Sequence, residues 1–322
     1  MADKRLVLLL RTAAWGLPTA CPVCLPSYLY LKLARIAFTP QYATFQPDSD
    51  DLPVLEYGDL VGFGNEPGGI FEILRRENIV DLDHGLADSD KADLNAYTAI
   101  VSSWLADALS YELWLKENDA TVAVVYFSSL PWPINKAIDW KQRRSVMGRL
   151  GITSENVTER SAELYRKAAA AYEALAKRLG DQKYFVAGRA TSLDAIFLGH
   201  ILFLQQAPLE VSRLRQELNK HPNLLNYAEV MKTKVFGEMG PPIMPKIRSS
   251  VTATSTASSM SRGSTGTSTK KNAKTRTEKE KIFRKRAKYF IIAQVAAIML
   301  YVVFAGIEVE DEGMEDDGGV ED

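Results

Sequence analysis

Residues 6–36, LVLLLRTAAWGLPTACPVCLPSYLYLKLARI, decide the fold. Leu6 to Leu10 is a five-residue apolar run closed by Arg11, and its shortness and bounding charges predict a central strand buried on both faces. A loop with Gly16 and Pro18 leads to Cys21-Pro22-Val23-Cys24, after which Leu25, Tyr28, Leu29, Leu33 and Ile36 recur at helical spacing. Strand, CxxC and helix in that order open a thioredoxin fold. Pro26 has no N–H to give to a helix interior, so the helix is expected to begin at Cys24 or Leu25, leaving Cys21 ahead of its positive end.

The downstream pattern agrees. Phe38 to Thr44 predicts a second strand, Pro53 to Tyr57 a third, and Gly58-Asp59 turns the chain into an antiparallel partner at Leu60-Val61-Gly62. Ile70 to Glu77 closes the unit as a helix. In a thioredoxin fold the proline opening the third strand is cis and faces the cysteine turn, so Leu52-Pro53 is expected to be cis. After a polar connection at Asp81 to Asp88 the period becomes helical. Leu94, Ala99, Val101, Trp104, Leu105, Ala108, Leu109 and Leu113 mark one long helix, and Ser161 to Leu179 another. Val122 to Phe127 is the one strand-like run there, and Lys141, Arg143 and Arg144 belong to a basic helical segment. Thr191-Ser192-Leu193-Asp194 places a hydroxyl at an N-cap and a carboxylate three residues on, an acidic capping box ahead of Ile196 to Leu204.

The last quarter has a different composition. Ser249 to Thr269 carries fourteen Ser/Thr in 21 positions, too few apolar groups to offset chain entropy, and is expected to be a flexible tether. Lys270 to Lys288 holds ten Lys/Arg against Glu278 and Glu280. Tyr289 to Ile307 follows with nineteen residues and no charge, about 28 Å as a helix, close to the roughly 30 Å hydrocarbon core of a bilayer. Glu308 to Asp322 then has nine acidic residues and no basic one. This asymmetry predicts a tail anchor, inserted after synthesis, with the N-terminal part in the cytosol. No secretory signal is expected at the N-terminus, since the Leu6 to Leu10 run is shorter than such a segment requires. The net charge of −1 averages two opposed blocks, and two cysteines fit a reducing compartment rather than a secreted disulfide framework.

The expected organisation is an α/β thioredoxin-like domain at 1–80, an all-helical domain at 90–236, a disordered Ser/Thr-rich then basic linker at 240–288, a transmembrane anchor at 289–307 and an acidic tail at 308–322. The strand, the cysteine turn, the Leu52-Pro53 entry, the helical second half and the Thr191 to Asp194 box together resemble the glutathione-transferase architecture. With the loop Leu130-Pro131-Trp132-Pro133-Ile134-Asn135 and the tail anchor, the chain is similar to the metaxins, most of all the plant type. That resemblance implies a non-enzymatic subunit on the cytosolic face of the mitochondrial outer membrane, in the machinery that sorts and assembles β-barrel proteins. The implied partners are the β-barrel core subunit, other glutathione-transferase-like subunits, β-barrel precursors and membrane lipid. A general preprotein receptor is a further reading. Mitochondrial location rests on the resemblance, because here the basic residues precede the span; plastid envelope and endoplasmic reticulum are the alternatives.

Candidate sites follow. If a helix N-terminus stabilises a thiolate at Cys21 and Cys24 resolves a mixed disulfide, the chain is a tail-anchored glutathione-dependent transferase or thiol-disulfide reductase, with Cys21, Pro53 and Glu66 as the glutathione site. The helix start argues against it, and Gly64-Asn65-Glu66-Pro67-Gly68-Gly69 keeps the acid of the glutathione grip without its hydroxyl. The cysteines are therefore expected to form a structural turn, with no catalytic residue and no cofactor. The glycines from Gly62 to Gly69 have neither dinucleotide nor P-loop spacing, and His84, His200 and His221 have no partner at metal-ligand spacing. Trp132, in a stiff proline-flanked loop, is a candidate interface anchor or a Trp folded back on its own helices. Ala293, Gln294, Ala297 and Tyr301 share one face of the anchor, where a neighbouring helix could pack, although a lone Gln is also tolerated. Lys281, Arg284, Lys285, Arg286 and Lys288 are topology signals and headgroup contacts, and no nucleic-acid partner is expected.

Overall fold

The computed structural model describes residues 5–43, 51–116, 126–127 and 134–237. Leu6–Leu10 is β1, followed by α1 (Cys24–Leu33), β2 (Thr39–Tyr42), β3 (Val54–Tyr57), β4 (Leu60–Phe63) and α2 (Gly69–Arg76). The sheet order is β2-β1-β3-β4, with β2 parallel to β1 and the β1/β3 and β3/β4 pairs antiparallel. Pro40 sits in β2, an edge strand, where a missing N–H leaves no central ladder broken. Leu52-Pro53 is cis, as the order of strands led us to expect.

One expectation about the sheet is corrected. β1 is not buried on both faces: Leu6, Leu8 and Leu10 are buried, while Val7 and Leu9 are half-exposed. The register explains why. Val7 lies in a row with Thr39, Glu56 and Val61, and Leu9 in a row with Gln41, Val54 and Phe63; of these, Thr39, Gln41, Glu56, Val61 and Phe63 are exposed. An apolar run thus marks a central strand without guaranteeing two covered faces.

The second half is helical: α3 (Asp88–Ile100), a π-helical turn (Val101–Leu105), α4 (Ala106–Trp114), α5 (Ile134–Leu150), α6 (Val157–Leu179), α7 (Ser192–Gln206), α8 (Arg213–Leu218) and α9 (Pro222–Phe236). The long helix read from Leu94 to Leu113 is one run from α3 to α4, with the π turn inside it. The strand read at Val122 to Phe127 is not supported where the structure describes it: Tyr126 and Phe127 are helical, and both rings lie against Trp114. β-branched residues next to aromatics suggested a strand, and tertiary packing of the rings overrides that preference.

α7 is the core of the molecule. Apolar residues surround its whole circumference, from Leu193 through Leu204, so it reads as hydrophobic all round rather than amphipathic. Asp194 anchors its start. One carboxylate oxygen accepts the Thr191 N–H and hydroxyl, each at 2.8 Å, and the other accepts the Tyr227 hydroxyl at 2.8 Å, so the predicted capping box also ties α9 to α7. α7 packs on α1 so closely that a Cβ at Gly199 would lie 3.0 Å from Pro26 Cγ and 3.2 Å from its nitrogen. This contact seats the cysteine turn on the helical half.

Among the described residues no helix is long and apolar enough to cross a membrane. The anchor (Tyr289 to Ile307, with Ala293, Gln294, Ala297 and Tyr301), the basic contacts Lys281, Arg284, Lys285, Arg286 and Lys288, and Trp132 all lie outside the described residues.

Candidate functional site

A cavity of about 470 Å³ opens between the cysteine turn, the Leu52-Pro53 peptide, the start of α2, the π turn with α4, and α5. That volume suits a small molecule. Cys21 and Pro53 line it; Cys24 and Glu66 are not among its lining residues. Of the predicted site residues, the fold therefore brings Cys21 to Pro53 and turns Glu66 away. Glu66 Oε1 accepts the Phe63 N–H at 2.8 Å, and its carboxylate tightens the hairpin end. The acid was legible in the sequence, but its direction was set by a turn that local pattern does not reveal.

The glycines here are packing devices. A Cβ at Gly64 would meet Pro53 Cδ at 2.6 Å and the Leu52 carbonyl carbon at 3.0 Å, and Gly68 takes a left-handed φ of 78° at the N-cap of α2. The run that lacks phosphate-loop spacing thus serves close backbone approach beside the cavity.

α1 begins at Cys24, with Val23 as its N-cap, as the position of Pro26 required. Cys21 lies ahead of the helix and is joined to it by a Leu25 N–H to Cys21 O bond of 3.0 Å. Both cysteines are buried and free. Burial alone would raise the Cys21 thiol. The Cys24 thiol hydrogen bond, the Arg11 guanidinium and the Cys24 and Val23 N–H groups outweigh it and lower Cys21 from 9.0 to about 6. Cys24 moves the opposite way, raised by burial and by the hydrogen bond and charge of Cys21, while the Arg11 N–H and guanidinium oppose. The turn is built to hold one thiolate and one thiol at neutral pH. Arg11 also sits 4.2 Å over the Tyr126 ring. The Tyr126 hydroxyl hydrogen-bonds Cys21 and is pushed well up, first by burial and then by the Cys21 charge.

The far wall holds His200, which burial lowers from 6.5 to about 4, so the ring is neutral, and its Nε2 shares a hydrogen bond with the Tyr172 hydroxyl at 2.7 Å. Arg149 completes the charged lining, and its guanidinium donates to Ser110 Oγ at 2.9 Å. Among the described residues no group of three or more His, Cys, Asp or Glu side chains is placed to hold a metal. Sequence reasoning missed Arg11, Tyr126, Arg149 and His200. Arg11 was the end of an apolar run, and His200 carries the one local signal, a polar residue on a helix otherwise apolar all round.

The family models match in two places: a glutathione S-transferase N-terminal domain over residues 22–120 and a glutathione S-transferase C-terminal domain over residues 168–231. The chain is 40% identical over 311 residues to the mitochondrial outer membrane import complex protein metaxin of Arabidopsis thaliana, covering 95% of this chain and 96% of that protein. It belongs to the metaxin family. Metaxin-3 of Danio rerio is 29% identical over 69% of this chain and 73% of its own length. A solved β-etherase from Sphingobium is 17% identical, covering 70% of this chain and 94% of that one, at a TM-score of 0.49. The two domain matches agree with the observed plan, an α/β sheet domain followed by helices. The cavity just described lies where those two parts meet, and this metaxin keeps a thiol in it.

Proposed function

We propose that this chain is a non-enzymatic subunit of an import complex in the mitochondrial outer membrane, acting in the sorting and assembly of β-barrel proteins. The observation that carries the reading is the near full-length match to the Arabidopsis import-complex metaxin. Residues 1–80 and 90–236 form the cytosolic body, 240–288 the linker, 289–307 the single membrane span and 308–322 the tail beyond it. The span, its basic flank and the acidic tail support that topology from sequence. Lys281, Arg284, Lys285, Arg286 and Lys288 contact anionic headgroups. Ala293, Gln294, Ala297 and Tyr301 offer a face for a neighbouring membrane helix, and Trp132 is an anchor for a partner subunit. The direction of Glu66 weighs against a glutathione transferase, since the carboxylate that would hold the amino end of the tripeptide is engaged with Phe63 N–H.

The test uses cells lacking the endogenous protein. The Cys21→Ser, Cys24→Ser double variant should restore the amount of an assembled outer-membrane β-barrel, such as the anion channel, on a native gel. Charge reversal across the Lys279 to Lys288 block should not. A double cysteine variant that is folded and membrane-inserted yet behaves like the null replaces this reading with the enzymatic one.

A further inference from the structure

We propose that the open face of the β-sheet, which bears Val7, Leu9, Glu56, Val61 and Phe63, is a docking surface for a basic amphipathic helix of another protein. The proposal does not depend on the import reading.

Both helices of the sheet half lie on one side. A Cβ at Gly62 would stand 2.6 Å from Ile73 Cδ1, which puts α2 against the face that holds Leu8, Leu55 and Gly62. The Tyr30 and Phe71 rings stack at 4.2 Å, which puts α1 beside α2. Among the described residues, the opposite face is left to solvent at Thr39, Gln41, Glu56, Val61 and Phe63, with Val61 50% and Phe63 38% exposed. Four strands about 4.8 Å apart make that face roughly 14 Å wide, which one helix with its side chains, about 10–12 Å across, covers. Addition of a strand is hindered at both edges of the sheet: Pro40 leaves β2 without one donor, and in β4 the Phe63 N–H is taken by Glu66 Oε1 at 2.8 Å. A partner is therefore received on the face.

Charge selects the occupant. From Ile36 to Phe71, the stretch that holds β2, β3 and β4, there are six acidic residues, Asp48, Asp50, Asp51, Glu56, Asp59 and Glu66, and no Lys or Arg. Arg5, just before β1, offsets one of these charges, not the balance. Glu56 lies on β3, an inner strand, between Val7 and Val61 in its row. Asp59 stands at the β3–β4 turn. Asp51 and Glu66 stand at the other end of that hairpin, where the Asn65 amide donates to Asp51 and the Phe63 N–H to Glu66. Apolar side chains with carboxylates at the centre and at both ends complement a helix whose apolar stripe is bordered by Lys or Arg. The same charges argue against other occupants. An anionic lipid surface would be repelled, and a second copy of this chain seated face to face would bring two acidic sheets together.

The experiment uses the full chain in nanodiscs of neutral phosphatidylcholine and a fluorescent peptide of Leu and Lys, about 18 residues long and patterned as an amphipathic helix. Binding is read by anisotropy with the signal of empty discs subtracted. The comparison peptides are its Leu/Glu twin and a scrambled Leu/Lys peptide without an apolar stripe. The expected result is saturable binding that weakens with salt, with an affinity about tenfold or more above that of either comparison peptide. A benzophenone on the apolar stripe should cross-link to β4 of the wild type. Glu56→Lys, and separately the Val61→Ser, Phe63→Ser double variant, should lower the affinity about tenfold at an unchanged melting temperature. Asp181→Lys, at an exposed acid just after α6, should not. Equal binding of the three peptides, a cross-link confined to other elements, or full affinity in the folded face variants overturns the proposal. Face variants that change the oligomeric state of the full chain would assign the surface to a second copy. Cross-linking of β4 to a photoreactive anionic lipid would assign it to the membrane. Either result also overturns the proposal.

Discussion

Two buried side chains, Cys21 and His200, carry protonation states that their positions in the sequence do not announce. A CxxC turn signals a thiol pair, but which sulfur holds the charge depends on Arg11 and on the N–H groups of Val23 and Cys24 around it. That arrangement appears only once β1 and α1 are placed. His200 looked like one of three scattered histidines, and its burial on α7 makes it a neutral core residue. The sign of its effect on stability is opposite to that of a histidine gaining an acidic partner. Its folded pKa is depressed to about 4 from 6.5, so below pH 6.5 the unfolded chain binds the proton and the folded one does not. Stability from this group is fully present above pH 6.5 and is lost as pH falls toward 4. The full loss amounts to about 3 kcal/mol, taking 1.36 kcal/mol per pH unit. His200→Gln should therefore be less stable near pH 7, through the altered contact with Tyr172, yet lose less stability on acidification than the wild type. Urea unfolding of both proteins at several pH values between 4 and 7 checks it; parallel curves would show that His200 does not titrate as assigned.

At the level of elements, the strands, the cysteine turn and the capping box were legible because each rests on a local rule, apolar run length or a hydroxyl and a carboxylate at fixed spacing, and the cis Leu52-Pro53 bond followed from the fold that those elements pointed to. What was not legible depends on contacts distant in sequence. Glu112 is the clearest case. It sits within α4 on an otherwise apolar face, fully buried, and accepts the Ser212 hydroxyl at 2.6 Å, the Arg213 N–H at 2.7 Å, the Leu214 N–H at 3.2 Å and the Tyr165 hydroxyl at 3.1 Å. A carboxylate from α4 thus caps α8, about a hundred residues later, and ties α6 to both. Glu112→Ala would leave two backbone donors and two hydroxyls buried without an acceptor, at a cost of about 3 kcal/mol or more. Glu112→Gln keeps an acceptor and should cost less. Thermal melts of the two variants give the order, and proteolysis should cut first near residues 207–214 in the Ala variant. Equal stability of the Ala variant and the wild type would mean that α8 needs no carboxylate.

For the whole molecule, composition along the chain separates a body from an apolar stretch at 289–307 that is expected to be a membrane anchor, and that division can be tested. Among the described residues the body's core is built from its own elements: α7 is buried along most of its length, α1 and α9 pack on it, and the large exposed apolar residues occur on several elements, with Val61 and Phe63 together on β4 and Ile134 and Trp140 on α5. Deleting Tyr289 to Asp322 is therefore expected to leave a folded chain with the melting temperature of the full protein, recovered in the supernatant after alkaline carbonate extraction, whereas the full chain stays with the membrane pellet. The expectation rests on two independent quantities: a nineteen-residue uncharged stretch long enough for a bilayer, and a buried apolar core made up of residues from the described part of the body. A truncated chain that resists extraction would place a second membrane contact in the body itself. A truncated chain that leaves the membrane but melts lower would mean that the tail contributes to the fold.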